Sequence, residues 1–420
     1  MNRVPLASRT VADRIAIDEA RLVEWASQAI GTPSFTGGEQ AMGELMAETF
    51  EGMGLQVQWQ QVEEGRPNVV GTWAGTGGGP TLMFNGHMDT SYSGREPWLK
   101  GVRGFQPSAF VKEGRLFGLG ISNMKGALAC YVEAVRALQD AGVRLKGDVL
   151  VAAVCGEIEK TQWGDAQGAE YRGYAAGSRY LVSHGGVADM CILGEPTEGK
   201  LVLGHYGSIW LRISTRGNFI HTAFSEGKRD LNSILRMREV LDAVLEWIPT
   251  WENDPENGYR GAKAIVNVGG ISGGFGWRVS RTPHRTDLFL DVRVPPTKPM
   301  ARARTQVLDM VRGLAERFPE YGIEGEVYVT APGAEIEESH PLVAAIAKSH
   351  ETVFGESPGQ DVTRWFSDAS ALTRAGIATL NYGTSTGLLD TTDGENLDID
   401  GLARTAEVYA LAAMRVCGVT

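Results

Sequence analysis

The stretches TLMFNGHMDT (81–90), VLVAAVCGE (149–157) and MCILGE (190–195) each set a short apolar run directly before polar, ionisable residues. A helical pattern from Met124 to Leu138 lies between the first two runs. Short apolar runs that alternate with helical periodicity describe strands buried on both faces, hence an α/β layer with a largely parallel sheet. In such open sheets functional groups gather just beyond the carboxyl ends of the strands. His87 and Asp89 follow the first run, Glu157 the second and Glu195 the third, while Asn123 precedes the intervening helix.

Working outward, apolar residues recur three or four apart in Asp18 to Ile30 and in Glu39 to Met53, with Gly54 as a stop signal, so both segments are expected to be helices. The pattern changes beyond Glu198. SIWLRIST (208–215) reads as a strand, Asp230 to Trp247 as a long amphipathic helix, and Ala264 to Val268 and Leu288 to Val294 as two strands. A helix near Ala301 to Phe318 and the strand EVYVTA (326–331) complete the order βαββαβ, a ferredoxin-like α+β unit over 205–332. From His340 onward helices alternate with short apolar stretches again. The simplest architecture is a discontinuous catalytic domain, 1–204 and 333–420, interrupted by the unit at 205–332. The Gly-rich pieces at 75–79 and 269–276 read as loops.

Composition narrows the partners. The 420 residues carry 40 basic and 51 acidic side chains, a net charge of −11, which argues against nucleic acid or an anionic membrane as the main partner. Cys130, Cys155, Cys191 and Cys417 lie far apart with no CxxC pair, as expected for free thiols in a reducing compartment, so a cytoplasmic location is expected. The opening MNRVPLASRTVADRI has no apolar core of a signal peptide, and the longest apolar run, Val149 to Cys155, is too short to span a membrane.

Taken singly, His87 could be a hydrogen-bonded histidine at a strand end, Glu157 or Glu195 a solvated loop carboxylate, and Asn123 a helix cap. Together, one imidazole, two carboxylates and an amide at one sheet edge can bind a metal. NGHMDT, GISNMKGALA, CGEIEK, LGEPTE and RGNFIHTA also stand in the order and spacing of a known family. Over nearly its whole length the chain resembles the metallohydrolases that include acetylornithine deacetylase, succinyl-diaminopimelate desuccinylase and carboxypeptidase G. That resemblance implies that the inserted unit is a lid and dimerisation domain, that the protein forms at least a homodimer, and that His87 and Glu195 are metal ligands. It further implies that Asp89 orients the His87 imidazole and that Glu157 is the general base acting on metal-bound water.

Three positions depart from the family pattern. Ile158 stands where a second acidic ligand usually follows the base, and counting back from Glu395 puts Thr391 where the last histidine ligand is expected. Asn123 itself replaces an aspartate that usually bridges two metals. All the groups of one metal have therefore changed together, so one divalent ion is expected, Mn²⁺ or Zn²⁺, held by His87, Glu195 and the Asn123 carbonyl oxygen. One negative charge fewer weakens the hold and makes the ion labile. Glu159 is either a compensating ligand or a solvated carboxylate.

On the substrate side, His221 matches a family histidine that reaches into the partner subunit's site and stabilises developing charge. Trp277, Arg278 and Arg281, in GGFGWRVSRTPHR, stand in a loop where relatives bind substrate, and Arg offers a planar fork for a carboxylate. Arg364, Trp365, Phe366 and Ser367 lie in a conventional active-site stretch, with the two aromatics either flanking a planar ring or serving as packing. Tyr206 and Trp210 read as lid core or hinge. The expected activity is C–N hydrolysis on a small anionic, aromatic substrate, with exchange of an aromatic amino group for hydroxyl as the specific expectation. The alternatives are a deacylase or dipeptidase acting on N-acyl amino acids, and a non-catalytic binding relative, against which the retained Glu157 argues.

Overall fold

The computed structural model describes residues 15–384 and 393–420. Thr391 and most of the N-terminal stretch lie outside the described residues. In chain order the principal elements begin with α1 (Glu19–Gly31), α2 (Gln40–Gly52), β1 (Gln56–Glu63), β2 (Arg66–Trp73), β3 (Leu82–His87), β4 (Phe110–Lys112), β5 (Arg115–Phe117) and α3 (Gly126–Asp140). They continue with β6 (Val149–Val154), α4 (Ala176–Ser183), β7 (Met190–Leu193), β8 (Leu201–His205), β9 (Gly207–Arg216) and α5 (Ser233–Glu252). Next come β10 (Val266–Gly273), β11 (Arg285–Val294), α6 (Met300–Arg317), β12 (Glu324–Ala331), β13 (Ala334–Glu335) and α7 (Pro341–Phe354). The chain closes with β14 (Gln360–Thr363), α8 (Ala369–Arg374), β15 (Ala378–Asn381), β16 (Asn396–Asp398) and α9 (Ile399–Cys417). Two compact units result: residues 1–203, 335–361 and 367–420 form the first, and 204–334 with 362–366 the second.

In the first unit the sheet runs β1-β2-β6-β3-β7-β15-β8. Its centre, β6-β3-β7-β15, is parallel, whereas β1 with β2, β2 with β6 and β15 with β8 are antiparallel. β3 and β6 are buried at every position, which explains their unbroken apolar reading. Register brings the strand ends to one edge, with His87 opposite Val154 and Asn85 opposite Leu193. One face packs Leu82 and Phe84 against α3 and α9 residues such as Leu128, Tyr131 and Tyr409, and the other packs Met83, Ala152 and Cys191 with Leu181 and Leu372. α3 is buried almost all round, as a helix packed on several sides must be. None of the described helices is long and apolar enough to cross a membrane.

The second unit is the ferredoxin-like α+β fold. Its sheet order β10-β11-β9-β12 is antiparallel throughout, with α5 and α6 contributing to one core that includes Met237, Val240, Leu288, Leu290 and Val307. β11 alternates half-buried and buried residues over its whole length, the period of a strand with one covered face. The expectation of a loop at 269–276 is corrected here. Residues up to Gly273 form the edge strand β10, whose glycines admit an irregularity in register between Val268 and Gly270.

Candidate metal centre

Strand alternation sends Met83, Asn85 and His87 to one face of β3 and Leu82, Phe84 and Gly86 to the other. A glycine precedes each of His87, Glu157 and Glu195, and tight packing accounts for it. A side chain at Gly194 would overlap the Tyr131 hydroxyl and the Ala127 methyl of α3. One at Gly156, where φ is +64°, would overlap the buried Arg66 guanidinium. The chain can therefore pass close to its neighbours just where it turns to present a carboxylate.

His87, Asp89, Glu157 and Glu195 are all buried at this edge. His87 Nδ1 lies 2.8 Å from the backbone carbonyl oxygen of Asp89, which can only accept, so Nδ1 carries a proton. The Asp89 carboxylate is farther from Nδ1, at 3.6 Å, and is engaged elsewhere. It accepts from the amides of Glu157 at 3.0 Å and Ile158 at 3.3 Å and from the Thr36 hydroxyl at 2.8 Å. Asp89 thus meets the imidazole through its main chain and the Glu157 loop through its side chain.

The other ring nitrogen faces only acceptors. Nε2 is 2.9 Å from Asn123 Oδ1, 3.7 Å from Glu157 Oε2 and 3.8 Å from Glu195 Oε1. An imidazole nitrogen beside these oxygens suits a positive charge between them or on the ring, or a proton on a neighbouring carboxyl group. Burial opposes protonation of His87, but the charges of Glu195, Asp89 and Asp368 outweigh it and raise its pKa. Burial, then the charge of Glu195, pushes Glu157 well above the usual carboxylate range, and burial raises Glu195 as well. Glu195 Oε1 has no hydrogen-bond partner among the described residues. His87, Glu157 and Glu195 offer donor atoms all within 4.8 Å of one another, and this buried surplus of negative charge fits a divalent cation.

Asn123 lies in an irregular turn, Ile121–Lys125, before α3, with φ −140° and ψ 93°. This differs from a helix cap: α3 begins only at Gly126. The turn is tied down on both sides of Asn123. Ser122 donates to Glu395 through its hydroxyl at 2.8 Å, and the buried Lys125 ammonium donates to the carbonyls of Ala29 and Thr32 at 2.8 and 2.7 Å. Ile158 is buried and offers no ligand atom. Glu159 is outside the three-residue cluster and exerts only a minor charge effect on Glu157. Thr36, Asp368 and Lys125 carried no local sequence signal, although Asp368 falls in the TRWFSDAS stretch.

The remaining expected site residues belong to the second unit. His221 Nδ1 accepts from the Ala223 amide at 3.1 Å, and its backbone bridges Arg281, so the loops holding these two residues meet. The Arg281 guanidinium lies over the Phe219 ring at 5.3 Å. Arg278 and Trp277 are exposed, the latter 79% so. Arg364 is exposed and donates to the Lys263 carbonyl at 2.7 Å, and half-buried Trp365 stacks on His205 at 6.4 Å. Tyr206 is buried in the core of this unit, and Trp210 is a half-buried residue of β9.

Residues 83–415 match the peptidase family M20/M25/M40. The chain is 28% identical over 360 residues to the N-formyl-4-amino-5-aminomethyl-2-methylpyrimidine deformylase of Bacillus subtilis (strain 168), covering 79% of this chain and 78% of that protein. It is 26% identical over 417 residues to the succinyl-diaminopimelate desuccinylase of Gluconacetobacter diazotrophicus, covering 94% and 96%. The crystal structure of the aminopeptidase PepT from Bacillus cereus superposes with a TM-score of 0.74 at 21% identity, covering 95% of this chain and 99% of that one. The chain belongs to the peptidase family M20/M25/M40 and is a metal-dependent hydrolase acting on C–N bonds.

Proposed function

We propose that this hydrolase uses a single labile divalent ion, Mn²⁺ or Zn²⁺, to hydrolyse a C–N bond in a small anionic aromatic substrate. His87, Glu195 and the Asn123 amide oxygen would hold the ion, with Glu157 as general base. The observation that carries this reading is His87 Nε2 facing Asn123 Oδ1, Glu157 and Glu195, beside an apolar Ile158 where a further ligand would stand. A bound divalent ion supplies Lewis-acid charge that acidifies water and favours the ionised form of the carboxylates around it. Glu157, its backbone held by Asp89, takes a proton from the attacking water and returns it to the departing nitrogen. His221 serves developing negative charge on the substrate, and Arg278, Arg281 and Arg364, with Trp277 and Trp365, supply the cationic and planar groups that an aromatic carboxylate requires.

The specific substrate proposed is 5-nitroanthranilate, converted with one water to 5-nitrosalicylate and ammonia. Water adds at the ring carbon bearing nitrogen, the nitro group takes up the added electron pair, and the C–N bond breaks as the nitrogen is protonated. A second reading, hydrolysis of an N-acyl amide, is favoured by the likeness to a deformylase. Incubation of metal-loaded protein with each compound separates them: ammonia with 5-nitrosalicylate supports the first, and a free carboxylic acid from the N-acyl substrate with no ammonia from 5-nitroanthranilate replaces it with the second. Glu157→Gln should keep substrate binding and lower kcat by about 10²- to 10⁴-fold. Wild-type turnover in that variant would remove Glu157 from the mechanism.

A further inference from the structure

A fully buried carboxylate outside the expected ligand set stands at the same sheet edge. Asp368 precedes α8 and is 0% exposed, and neither of its oxygens makes a hydrogen bond of ordinary geometry among the described residues, although the Ser178 hydroxyl of α4 interacts with it and lowers its pKa against the burial that raises it. Its neighbour Ser367 donates to Asn381 Oδ1 at 3.2 Å, and Asn381 closes β15 in register with Leu193 of β7, two residues before Glu195. α8 packs on α4, whose Ser178 hydroxyl accepts from Asn85 Nδ2 at 3.3 Å, and Asn85 shares its face of β3 with His87. Asp368 is therefore set over the face of the sheet that carries Asn85 and His87, next to the end of β15. Its charge acts on His87 and Glu157, and theirs and Glu195's fields overlap at the same place.

The unpartnered atoms here are all acceptors. Asn85 Oδ1, Glu195 Oε1 and both Asp368 oxygens are enclosed without a hydrogen bond of ordinary geometry among the described residues, the Ser178 hydroxyl being the one donor that interacts with Asp368. Asp89, Glu157, Glu195 and Asp368 put four buried carboxyl groups around one imidazole. A buried anion is retained only with compensating positive charge or hydrogen bonds, and a group of acceptors lacking donors calls for a cation. Within the expected ligand set, Asn123 contributes a neutral oxygen.

We propose that Asp368 is an additional anionic residue of the metal centre, supplying the negative charge that Asn123 lacks and so retaining the ion. This rests on the metal-centre reading above. As a residue acting on the ion's retention it sets affinity, in the way that groups behind the ligands of a metal site commonly do.

The test is calorimetric titration of metal-free protein with Mn²⁺ and with Zn²⁺, for wild type, Asp368→Asn, Asp368→Ser and Asp368→Glu, with thermal melting in chelator alongside. The neutral variants should bind the ion about tenfold more weakly or worse. Asp368→Glu should stay close to wild type, and adding Asn123→Asp to Asp368→Asn should restore affinity. In chelator the neutral variants should melt higher than wild type, because a buried repulsion is removed, whereas a carboxylate serving only the fold would give lower melting. Wild type that binds no ion would overturn the metal centre itself. Wild type that binds while either folded neutral variant binds equally well would overturn the role of Asp368 alone. Failure of both neutral variants to fold while Asp368→Glu folds would assign Asp368 to the fold and overturn the proposal, and unrestored affinity in the double variant would overturn the compensation.

Discussion

The Asp89 carboxylate takes three hydrogen bonds, two from the amides of Glu157 and Ile158 and one from the Thr36 hydroxyl. Because the first two fix the backbone of the proposed general base, Thr36 would act as a positioning residue for Glu157. Thr36→Val keeps the shape and removes one donor to a buried carboxylate, so kcat should fall about tenfold, the equivalent of about 1.4 kcal/mol, with KM little changed. Thr36→Ser should recover most of the loss, and steady-state kinetics of the pair checks this, a shift confined to KM going against it. In the second unit His205 is fully buried, with Nδ1 2.9 Å from the Tyr206 carbonyl oxygen, and burial lowers its pKa from 6.5 to about 4. The unfolded chain therefore binds a proton that the folded chain refuses between these values. The stability tied to neutral His205 is complete above pH 6.5 and is lost as pH falls toward about 4, by roughly 3 kcal/mol. Denaturant titrations across that range should show a shallower acid loss in His205→Gln than in wild type.

At the level of elements, the short apolar runs at 81–86, 149–155 and 190–193 were legible as strands because burial on both faces leaves no alternation to confuse with a helix. Their polar ends located His87, Glu157 and Glu195 for the same reason. β10 was not legible beyond Val268, since an edge strand that tolerates glycine has the composition of a loop. The irregular turn that carries Asn123 has no local signature, because its fixing contacts, from Lys125 to Ala29 and Thr32 and from Ser122 to Glu395, join residues distant in sequence. Thr36 and Asp368 escaped for that reason as well: each acquires its setting only when α2's approach or α8 meets the sheet edge. The glycine before each acidic or imidazole group has a direct consequence. Gly194→Ala must push β7's end away from Tyr131 and Ala127, at a cost of about 1–3 kcal/mol, and displace Glu195. Thermal melting should record the loss, and metal titration should record weaker binding, whereas unchanged affinity would mean that the loop absorbs the added methyl without moving the carboxylate.

For the molecule as a whole, composition and strand order were enough to read an α/β layer and a ferredoxin-like unit, because each is specified by periodicities that survive in a single sequence. The number of metal ions is a property of the whole ligand set. On the proposed ligand set it would depend on Asn123, Ile158 and a position near Glu395 acting together, and on carboxyl groups such as Asp368 that no motif marks. Ion binding to the folded chain alone also links occupancy to stability, about 2.7 kcal/mol at a free ion concentration one hundred times Kd. The most direct measurement is the metal content per chain by elemental analysis, after equilibration with excess Mn²⁺ or Zn²⁺ and removal of loosely held ion. About one equivalent per chain, readily withdrawn by chelator, is the expected result for a centre built on His87, Asn123 and Glu195. Two tightly held equivalents would contradict it and require a second set of ligands in which Ile158 has no part.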